Sequence, residues 1–426
     1  MMRPNGRAFK DERVTIMAFG LTKKELSWVL YDVGNSAFVM LSTALIPVYF
    51  ASIADPGSSV VVAWGYAETV ASLVLALLMP VLGSLADLAG NKKKFLVGFA
   101  GTGAVACAAL GIPEHALAFL VVYVIAAIML NGSMVFYDAF LVDATTEERY
   151  DKVSSHGYAW GYIGSCIPFI ACLAVVLGGS SFGIDAKLGM KIAFIITAVW
   201  WVIFTVPVAK NVKQLHGKKR SDHVLRTTIS GLKGTVKSIV KDKRLLFFML
   251  AFFFYIDGVH TVIKMSTSYG TDLGIDSTQL VLALLVTQFV AFPSAIAYGN
   301  LAKRFGTKRM LKVGVLAYFF IVLFAAFFLK SAVEFWILAI CVGLFQGGIQ
   351  ALSRSEYGKL IPKDRANEYY GFFDIFGKYA AVMGTFLVSA FTQLTGSSSL
   401  GVLSIALLFI VGFLFLRAMP PMLGDS

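Results

Sequence analysis

The sequence predicts an all-α membrane protein whose twelve transmembrane helices form two six-helix halves. Three observations predict this fold. The 426 residues are 58% hydrophobic, with a mean hydropathy of +0.76, whereas soluble domains are only about half apolar. The apolar residues fall into runs close to the length of about 20 residues that a helix needs to cross a bilayer. Short motifs in the first half of the chain also recur in the second half.

The apolar runs place the spans along the chain, and polar loops separate them. The longest polar stretch, 210–244, divides six spans from six and is the predicted central loop. We expect an N-terminal segment at 1–27, halves at 28–209 and 245–417, and a tail at 418–426. The predicted spans are 28–54, 61–86, 95–112, 116–137, 153–178, 188–209, 245–265, 278–300, 310–329, 333–352, 368–393 and 398–417.

The net charge of +12 would suggest a nucleic-acid partner in a soluble protein, but its distribution indicates a membrane. If the N-terminus is inside, all but five of the 37 Lys and Arg residues lie in or beside inward-facing loops. This asymmetry follows the positive-inside rule. It predicts that both termini are cytoplasmic, and that the basic loops face anionic lipid of the bilayer and not nucleic acid.

The sequence lacks the motifs of common enzymes and cofactors. It contains no G-x-x-x-x-G-K-[ST] for ATP, no H-E-x-x-H and no G-x-S-x-G. Its four cysteines fall inside predicted spans, without a CxxC pair or a histidine at metal-binding spacing. We therefore expect no enzyme activity, no cofactor and no metal.

The two predicted halves share three motifs at nearly the same offset, which indicates an internal repeat. The pairs are "GSLADLAGNKKK" (83–94) with "GNLAKRFGTKRM" (299–310), "YDVGNSAF" (31–38) with "YIDGVHTV" (255–262), and "SSHGYAWGYIG" (154–164) with "EYYGFFDIFGK" (368–378). Parallel repeats related by an axis along the membrane normal are typical of the major facilitator architecture, which binds substrate near the midplane between its halves.

The first copy of one repeat, between spans two and three, resembles the signature motif of that superfamily. Its pattern needs Gly83 for close helix packing, Gly90 for a tight turn, and Asp87 to face the N-terminus of a neighbouring helix. We expect Lys92 and Lys93 to anchor in lipid headgroups. The motif predicts a lock on the cytoplasmic side, and direct contact with substrate is the alternative.

The second copy keeps Gly299 and Gly306 but departs from the pattern elsewhere. Lys303 stands at the position of Asp87, and Leu88 of the first copy stands where arginine is usual. We therefore expect no carboxylate lock from the second motif.

Three longer stretches resemble a narrower group, the autophagy-related vacuole effluxer family and its bacterial relatives, once called the unknown major facilitator family. They are "WVLYDVGNSAF" (28–38), "VFYDAFLVDATTEERYDKVSSHGYAWGYIG" (135–164) and "QALSRSEYGKLIPKDRANEYYGFFDIFGKYAAVMG" (350–384). The resemblance implies a secondary transporter. We expect a small-molecule substrate and a monomer in the bacterial cell (inner) membrane. Amino-acid efflux from the vacuole is known for the fungal branch, whereas substrates of the bacterial branch are largely unassigned.

The seventh predicted span carries Asp257, His260 and Lys264 in an otherwise apolar run. At helical spacing these residues share one face with Thr261, and Asp257 lies near the bilayer midplane. A buried unpaired charge is costly in a membrane, so we expect this face to line the central cavity. Asp257 is the candidate proton carrier, and a structural pair of Asp257 with Lys264 is the alternative.

Other polar residues in the spans are candidates for substrate contact or for helix packing. Asp374 and Lys378 lie at i and i+4, a spacing that allows a structural ion pair. Asp32 and Asn35 share a face of the first span, where they contact substrate or pack against the fifth span. Trp160, flanked by glycines on the fifth span, lines the cavity or packs through those glycines.

Two glutamines of the tenth span, Gln346 and Gln350, lie one turn apart and could hydrogen-bond a polar solute or one another. Glu68 is a lone carboxylate in the second span. Charges near the inner ends of the spans predict salt bridges between the halves in the outward-facing state. They are Asp138, Asp143, Arg149 and Arg365.

The leading hypothesis is a secondary transporter of a small polar or zwitterionic solute, such as an amino acid, that works by rocking of the two halves and is coupled to protons. A flippase of lysolipids or other amphiphiles, or a drug exporter of the same fold, is the second hypothesis, since the second half is rich in Phe. A membrane receptor or scaffold without transport is the third. It is disfavoured because a repeated gating motif serves moving halves.

Overall fold

The computed structural model describes residues 18–54, 60–218 and 224–420. Its regular structure in these ranges is helical, apart from isolated bridge positions such as the pair of Leu88 and Lys218. Nine of the helices there are long and apolar enough to cross a membrane, and a bent pair would make a tenth. This confirms the predicted all-α membrane fold, while the number of twelve spans stays a prediction.

The first half begins with a helix that bends. Thr22 and Glu25 exchange side-chain-to-backbone hydrogen bonds, a capping box that fixes the start of this helix. A bend of 44° at Leu45 separates it from the next helix. The helices of this half are α1 (Lys23–Ala44), α2 (Ile46–Ile53), α3 (Val60–Ala86), α4 (Lys92–Ala109), α5 (Ala116–Ala139), α6 (Leu141–Ala144), α7 (Tyr150–Gly178) and α8 (Ala186–Asn211).

The second half follows a connecting helix, α9, that lies in the predicted central loop. Asp242 accepts hydrogen bonds from the backbone N–H groups of Arg244 and Leu245, and so sets the start of the first long helix of this half. The helices are α9 (Val224–Lys241), α10 (Lys243–Asp272), α11 (Ser277–Phe305), α12 (Thr307–Phe327), α13 (Ala332–Leu360), α14 (Ala366–Thr395), α15 (Ser398–Ser404) and α16 (Ala406–Ala418).

The tenth predicted span, 333–352, is shorter than the helix that forms there. α13 continues to Leu360, although Arg354 and Glu356 make this last part charged. The prediction ended at 352 because hydropathy places charged residues outside membrane helices. In the structure these turns are buried, and their polar groups bond other side chains.

The loops α3–α4, α5–α7, α11–α12 and α13–α14 meet at one end of the bundle, which we call the basic end. Gly90 and Gly306 occupy equivalent turns there with φ of +83° and +88°, a backbone conformation that favours glycine. The two motif copies therefore build similar turns. The basic residues of this end include Lys92, Lys93, Lys94, Lys303, Arg304, Lys308, Arg309, Lys363 and Arg365.

The two halves cross closely at two points near the basic end. α3 packs on α14, and α7 packs on α11. A Cβ placed on Gly83 would lie 2.6 Å from the backbone oxygen of Asn367, and one on Gly299 would lie 2.6 Å from Oγ of Ser155. The motif glycines thus occupy equivalent points, where a helix of one half meets a helix of the other.

We predict that Gly83→Ala lowers the apparent melting temperature of the purified protein, whereas Gly98→Ala leaves it unchanged or raises it slightly. The methyl group at position 83 would meet backbone atoms of Asn367 that cannot rotate away, and overpacking of this kind costs about 1–3 kcal/mol. A Cβ on Gly98 would meet nothing within 4 Å, so only the better helix propensity of alanine acts there. Thermal unfolding in one detergent compares the variants. Equal melting temperatures would contradict the close crossing.

Candidate functional site

Arg354, on α13 of the second half, is buried against the first half and is only 1% exposed. Its Nη1 lies 2.9 Å from Oδ1 of Asp138 and 3.5 Å from Oδ2 of Asp32. Its Nε and Nη2 donate to the hydroxyl and the backbone oxygen of Ser154, each at 2.9 Å. Three residues of the first half therefore hold one cation of the second half.

Three aromatic rings of the first half enclose the same guanidinium. The ring centroids of Trp28, Tyr137 and Tyr158 lie 4.7, 5.3 and 4.4 Å from its central carbon, distances at which cations attract ring faces. The hydroxyl of Tyr137 also donates to Oδ2 of Asp32 at 3.0 Å. We call the six residues of the first half the cage: Trp28, Asp32, Tyr137, Asp138, Ser154 and Tyr158.

The carboxylate of Asp87 caps the first turn of α14 from across the interface. Oδ1 accepts hydrogen bonds from the backbone and side-chain N–H groups of Asn367 at 2.9 and 2.8 Å, and Oδ2 accepts one from the backbone N–H of Glu368 at 3.0 Å. Burial raises the pKa of Asp87 to about 6, although Lys92 and these hydrogen bonds act to lower it. The N-terminus of α14 favours the ionised form of this carboxyl group.

Asp151, at the start of α7, makes a second contact across the interface. Its Oδ1 accepts a hydrogen bond from Ser355 at 2.5 Å, and its Oδ2 accepts from Thr307 at 2.8 Å and from Lys359 at 2.7 Å. Lys303, at the acidic position of the second motif, is exposed. The second contact is therefore also made by a carboxylate of the first half, and not by an acidic residue of the second motif.

Residues 212–218, which we call the strap, lie across the motif loop of the first half. Oε1 of Gln214 accepts hydrogen bonds from the backbone N–H groups of Gly90 at 2.9 Å and Lys92 at 3.2 Å. The backbone of Lys218 pairs with the same loop next to Leu88. The strap thus supports the turn that the motif builds.

The strap and α9 also hold the N-terminus of α14. Lys218 lies 2.8 Å from Oε2 of Glu368. Oε1 of the same carboxylate accepts hydrogen bonds from Thr235 of α9 and from Arg365. Because the backbone N–H of Glu368 binds Asp87, the central segment and the motif act on the same turn of α14.

Lys92 does not anchor in lipid headgroups as the sequence predicted, because it is fully buried. Its Nζ lies 2.6 Å from Oδ2 of Asp143 and 3.2 Å from the backbone oxygen of Ala139. Oδ1 of Asp143 accepts hydrogen bonds from the backbone N–H groups of Leu215 and His216, each at 2.8 Å. Burial acts to raise the pKa of Asp143, but Lys92 and His216 outweigh it and hold the pKa below its usual value. The pair fastens the strap to the first half.

Of the four residues predicted to bridge the halves, Asp138 alone does so within the described ranges. Asp143 pairs inside the first half, as does Arg149, whose Nε lies 2.6 Å from Oε1 of Glu25. Arg365, directly before α14, lies 3.0 Å from Oε1 of Glu368 on that helix. The prediction was wrong for these three residues because each finds a partner in its own half.

Asp257 is fully buried between α10 and α14 of its own half. Oδ1 accepts hydrogen bonds from the backbone N–H of Gly384 at 2.9 Å and from Oγ1 of Thr261 at 3.2 Å. Oδ2 is buried without a hydrogen-bond partner among the residues that the structure describes. Further along α10, His260 is partly buried and Lys264 is exposed. The face expected to line one cavity is thus divided between interior and surface.

The candidates on α14 and α1 lie near the cage. Asp374 is partly buried and close enough to Asp138 to interact electrostatically. The side chain of Lys378 lies outside the described residues, so its pairing with Asp374 stays a prediction. Asn35 donates to the backbone oxygen of Tyr31 at 3.0 Å, and it therefore supports α1 beside the cage.

Uncharged side chains continue the contact between the halves further from the basic end. Trp160 of α7 packs edge-on against Phe292 of α11, with ring centroids 5.0 Å apart. Nε2 of Gln350 lies 3.3 Å from the hydroxyl of Tyr162.

Two other candidates lie within one half. Gln346 lines a small cavity of about 60 Å³ between α10, α11 and α13. Glu68, predicted to stand alone, accepts a hydrogen bond from Tyr123.

The sequence did not predict that Arg354 and Asp151 join the halves. Hydropathy ended the tenth span before Arg354 and placed it in a loop. One signal was available, since the stretch "SRSEYGKLIP" contains no proline before Pro362, and its single glycine, Gly358, can be tolerated inside a helix. A helix running to that proline would have carried the charged turns into the bundle.

Both the fold and the sequence of the chain are similar to those of known proteins. The fold is similar to that of the major facilitator transporter FucP in its outward conformation, with a TM-score of 0.70 over 94% of this chain and 99% of that chain, at 14% identity. The sequence is 46% identical over 408 residues to the uncharacterized MFS-type transporter YxiO of Bacillus subtilis (strain 168), covering 94% of this chain and 95% of that protein. The protein is a membrane transporter of the major facilitator superfamily.

Within that superfamily, the chain belongs to the family described as Atg22-like vacuole effluxers, which matches residues 57–143 and 142–422. Autophagy-related protein 22 of Cryptococcus neoformans var. neoformans is 26% identical over 283 residues, which are 61% of this chain and 48% of that protein. The resemblance drawn from the sequence motifs is confirmed.

We predict that Asp87→Asn slows transport while substrate affinity stays within a few-fold of the original. The amide nitrogen cannot accept a hydrogen bond, so at least one buried N–H of α14 loses its partner, at a cost of about 1–3 kcal/mol to the closed state. Initial rates against substrate concentration in proteoliposomes separate the two effects. Asp185→Asn is the matched control, because Asp185 caps α8 by accepting from Leu188 within one half. Normal turnover with lost binding would contradict the role of Asp87.

A second prediction concerns pH and Asp143. Because its folded-state pKa lies below the usual value, the ionised carboxylate stabilises the folded state above the unfolded pKa of about 3.9, and this contribution is lost as pH falls through the folded value. Asp143→Asn should melt at a lower temperature near neutral pH and lose less of its melting temperature on acidification. Thermal unfolding between about pH 6 and pH 3 tests this, and equal slopes for both proteins would refute it.

Proposed function

We propose that this transporter moves a small polar or zwitterionic solute by alternating access of its two halves, with coupling to protons. The observation that carries the proposal is the composition of the closed basic end. There the halves meet through charged groups that are buried or partly buried, each bonded to a partner in the other half, at Asp87, Asp151 and Arg354.

A contact of this kind is suited to opening and closing. Removing charges from water costs free energy that their mutual attraction only partly returns. Water can bond the same groups when the halves separate, so the free-energy difference between the closed and open states is small. An apolar interface of the same area would lack this compensation and would hold the halves together.

The groups between the halves support a polar substrate. Tyr162 and Gln350 offer hydrogen-bond donors and acceptors without net charge, while Arg354 and the carboxylates of the cage bring opposite charges within a few ångströms. FucP was solved in an outward conformation, and a closed basic end fits an outward-facing state here. The description of the family as effluxers supports export as the direction.

The excess of basic residues supports a cytoplasmic position for the basic end and for both termini, in the cell membrane of a bacterium. We expect the protein to act as a monomer in this membrane. A thermal-shift screen of the purified protein with amino acids, peptides, sugars, nucleosides and lysolipids identifies the substrate, since a ligand of the folded state raises its apparent stability. A response to lysolipids alone would favour the export of amphiphiles instead.

Asp257 supports proton coupling. One oxygen of its carboxyl group is satisfied by Gly384 and Thr261, and the other is buried without a hydrogen-bond partner among the described residues. The ionised form of a buried carboxyl group needs a counter-ion, whereas the neutral form does not. A change in the surroundings of Asp257 can therefore be accompanied by the gain or loss of a proton.

The movement of the halves gives a direct prediction. Glu147 and Lys363 lie on opposite halves at the surface of the basic end, with Oε2 and Nζ 3.2 Å apart. Glu147→Cys with Lys363→Cys should cross-link readily through a short thiol reagent, and the cross-link should stop transport because it holds the basic end closed. Radiolabelled substrate uptake into proteoliposomes before and after reductive cleavage measures the effect.

The control for this experiment is a cross-link within one half. Lys187 and Glu114 lie 3.6 Å apart on the first half, and joining cysteines at these positions should leave transport intact. Uptake that survives the link between Glu147→Cys and Lys363→Cys would rule out alternating access at this end.

The role of Asp257 is tested by Asp257→Asn. The amide keeps the size of the side chain but cannot release a proton, so uptake driven by a pH gradient should vanish while exchange of labelled for unlabelled substrate persists. If Asp257 only neutralises Lys264, adding Lys264→Gln should restore gradient-driven uptake. Such rescue would exclude Asp257 as the proton carrier.

A further inference from the structure

The cage around Arg354 is a preformed site on the first half alone. Its residues lie on α1, α5 and α7, and every group that they present to the guanidinium is an acceptor or a ring face. With Arg354 in place its floor is buried, since Trp28 and Tyr137 are 0% exposed and Asp32 is 4% exposed. The first half therefore carries a complete receptor for one organic cation.

The chemistry of the cage selects the class of cation. Two carboxyl groups, those of Asp32 and Asp138, face a single guanidinium, so the cage retains more acceptor capacity than Arg354 uses. Three ring faces attract weakly hydrated cations such as guanidinium and alkylammonium groups. A strongly hydrated alkali ion gains little from the ring faces, whereas an organic cation can use the rings and the carboxylate oxygens together. The cage therefore suits an organic cation.

The backbone of α7 provides the room. A Cβ on Gly157 would lie 2.8 Å from Nη2 of Arg354 and 3.0 Å from Oδ2 of Asp32. The absence of a side chain at this position leaves space for a group of guanidinium size between α7 and α1.

We propose that the cage is the cation-binding subsite for the transported solute, and that Arg354 is a tethered cation that occupies it while the basic end is closed. The ligand is an organic cation that carries a guanidinium or an ammonium group. The inference rests on the proposed alternating access, because the cage is vacated only when the second half moves away.

The exchange of cations couples closure to release. When the halves separate, Arg354 leaves with α13, and the carboxyl groups of Asp32 and Asp138 face the basic end without their cation. The cationic group of a solute restores the balance of charge. On closure, Arg354 competes for the same oxygens and ring faces, and the solute moves away from the closed end, toward Tyr162 and Gln350.

The first test empties the cage in the purified protein. Arg354→Ala should melt at a lower temperature than the original protein, and methylguanidinium chloride should raise that temperature by several degrees in a saturable manner. N-methylurea, which is neutral and of similar shape, and sodium chloride at equal ionic strength should not. Adding Asp138→Asn should raise the half-saturating concentration of methylguanidinium about tenfold or more.

Arg244→Ala is the matched control. Arg244 is a partly buried arginine whose Nη2 lies 3.3 Å from Oε1 of Glu356 in the same half, and no ring of the described residues encloses its guanidinium. Methylguanidinium should not restore this variant. If it raises the melting temperature of Arg354→Ala no more than that of Arg244→Ala, the cage is only a structural ion pair and the proposal is wrong.

The second test leaves Arg354 in place and so does not depend on the folding of its variants. In the protein with Glu147→Cys and Lys363→Cys, methylguanidinium should slow cross-linking at least about threefold, since a cation in the cage excludes Arg354 and favours the open basic end. N-methylurea should leave the rate unchanged. A rate that responds to transported substrate but not to methylguanidinium would overturn the cage proposal alone. A rate that no solute changes would instead contradict alternating access.

Discussion

The closed structure depends on one constraint, that a charge buried between the two halves must be bonded to a partner in the other half. Arg354 is the clearest case, because its guanidinium is nearly inaccessible to water and its carboxylate partners, Asp32 and Asp138, belong to the first half. An unpaired charge in such a place would cost several kcal/mol. The approach of α3 to α14 and of α7 to α11, permitted by Gly83 and Gly299, follows from the need to bring these partners within hydrogen-bond distance.

The central segment of the chain adds a second layer to the same closure. The strap binds the motif loop through Gln214, and Lys218 reaches across to Glu368 on α14. The segment that links the halves in sequence thus also links them in space, at the turn that Asp87 caps. Opening the basic end must break or carry along these contacts, so the strap contributes to the free-energy difference between the closed and open states.

The sequence predicted features that depend on local composition or on short motifs. Hydropathy located the helices, and the glycine spacing of the motif predicted a tight turn at Gly90 and a close crossing at Gly83. It also predicted that Asp87 faces a helix N-terminus, but it did not identify α14, because the partner lies 280 positions away in the chain. The predictions for Lys92 and Asp143 were wrong for the same reason, because each depends on a partner that is distant in the sequence. Both carry charge near a span end, and only the packing of their own half shows that they bury each other.

The central claim is that the two halves separate at the basic end while they approach at the opposite end. Distances from double electron–electron resonance in lipid nanodiscs test it most directly. Spin labels at the exposed positions Lys94 and Arg309 report on the basic end, and labels at Glu114 and Lys330 report on the opposite end. The account predicts two populations for each pair, with the short distance at one end accompanying the long distance at the other as substrate or pH changes. A single distance for both pairs under all conditions would contradict it.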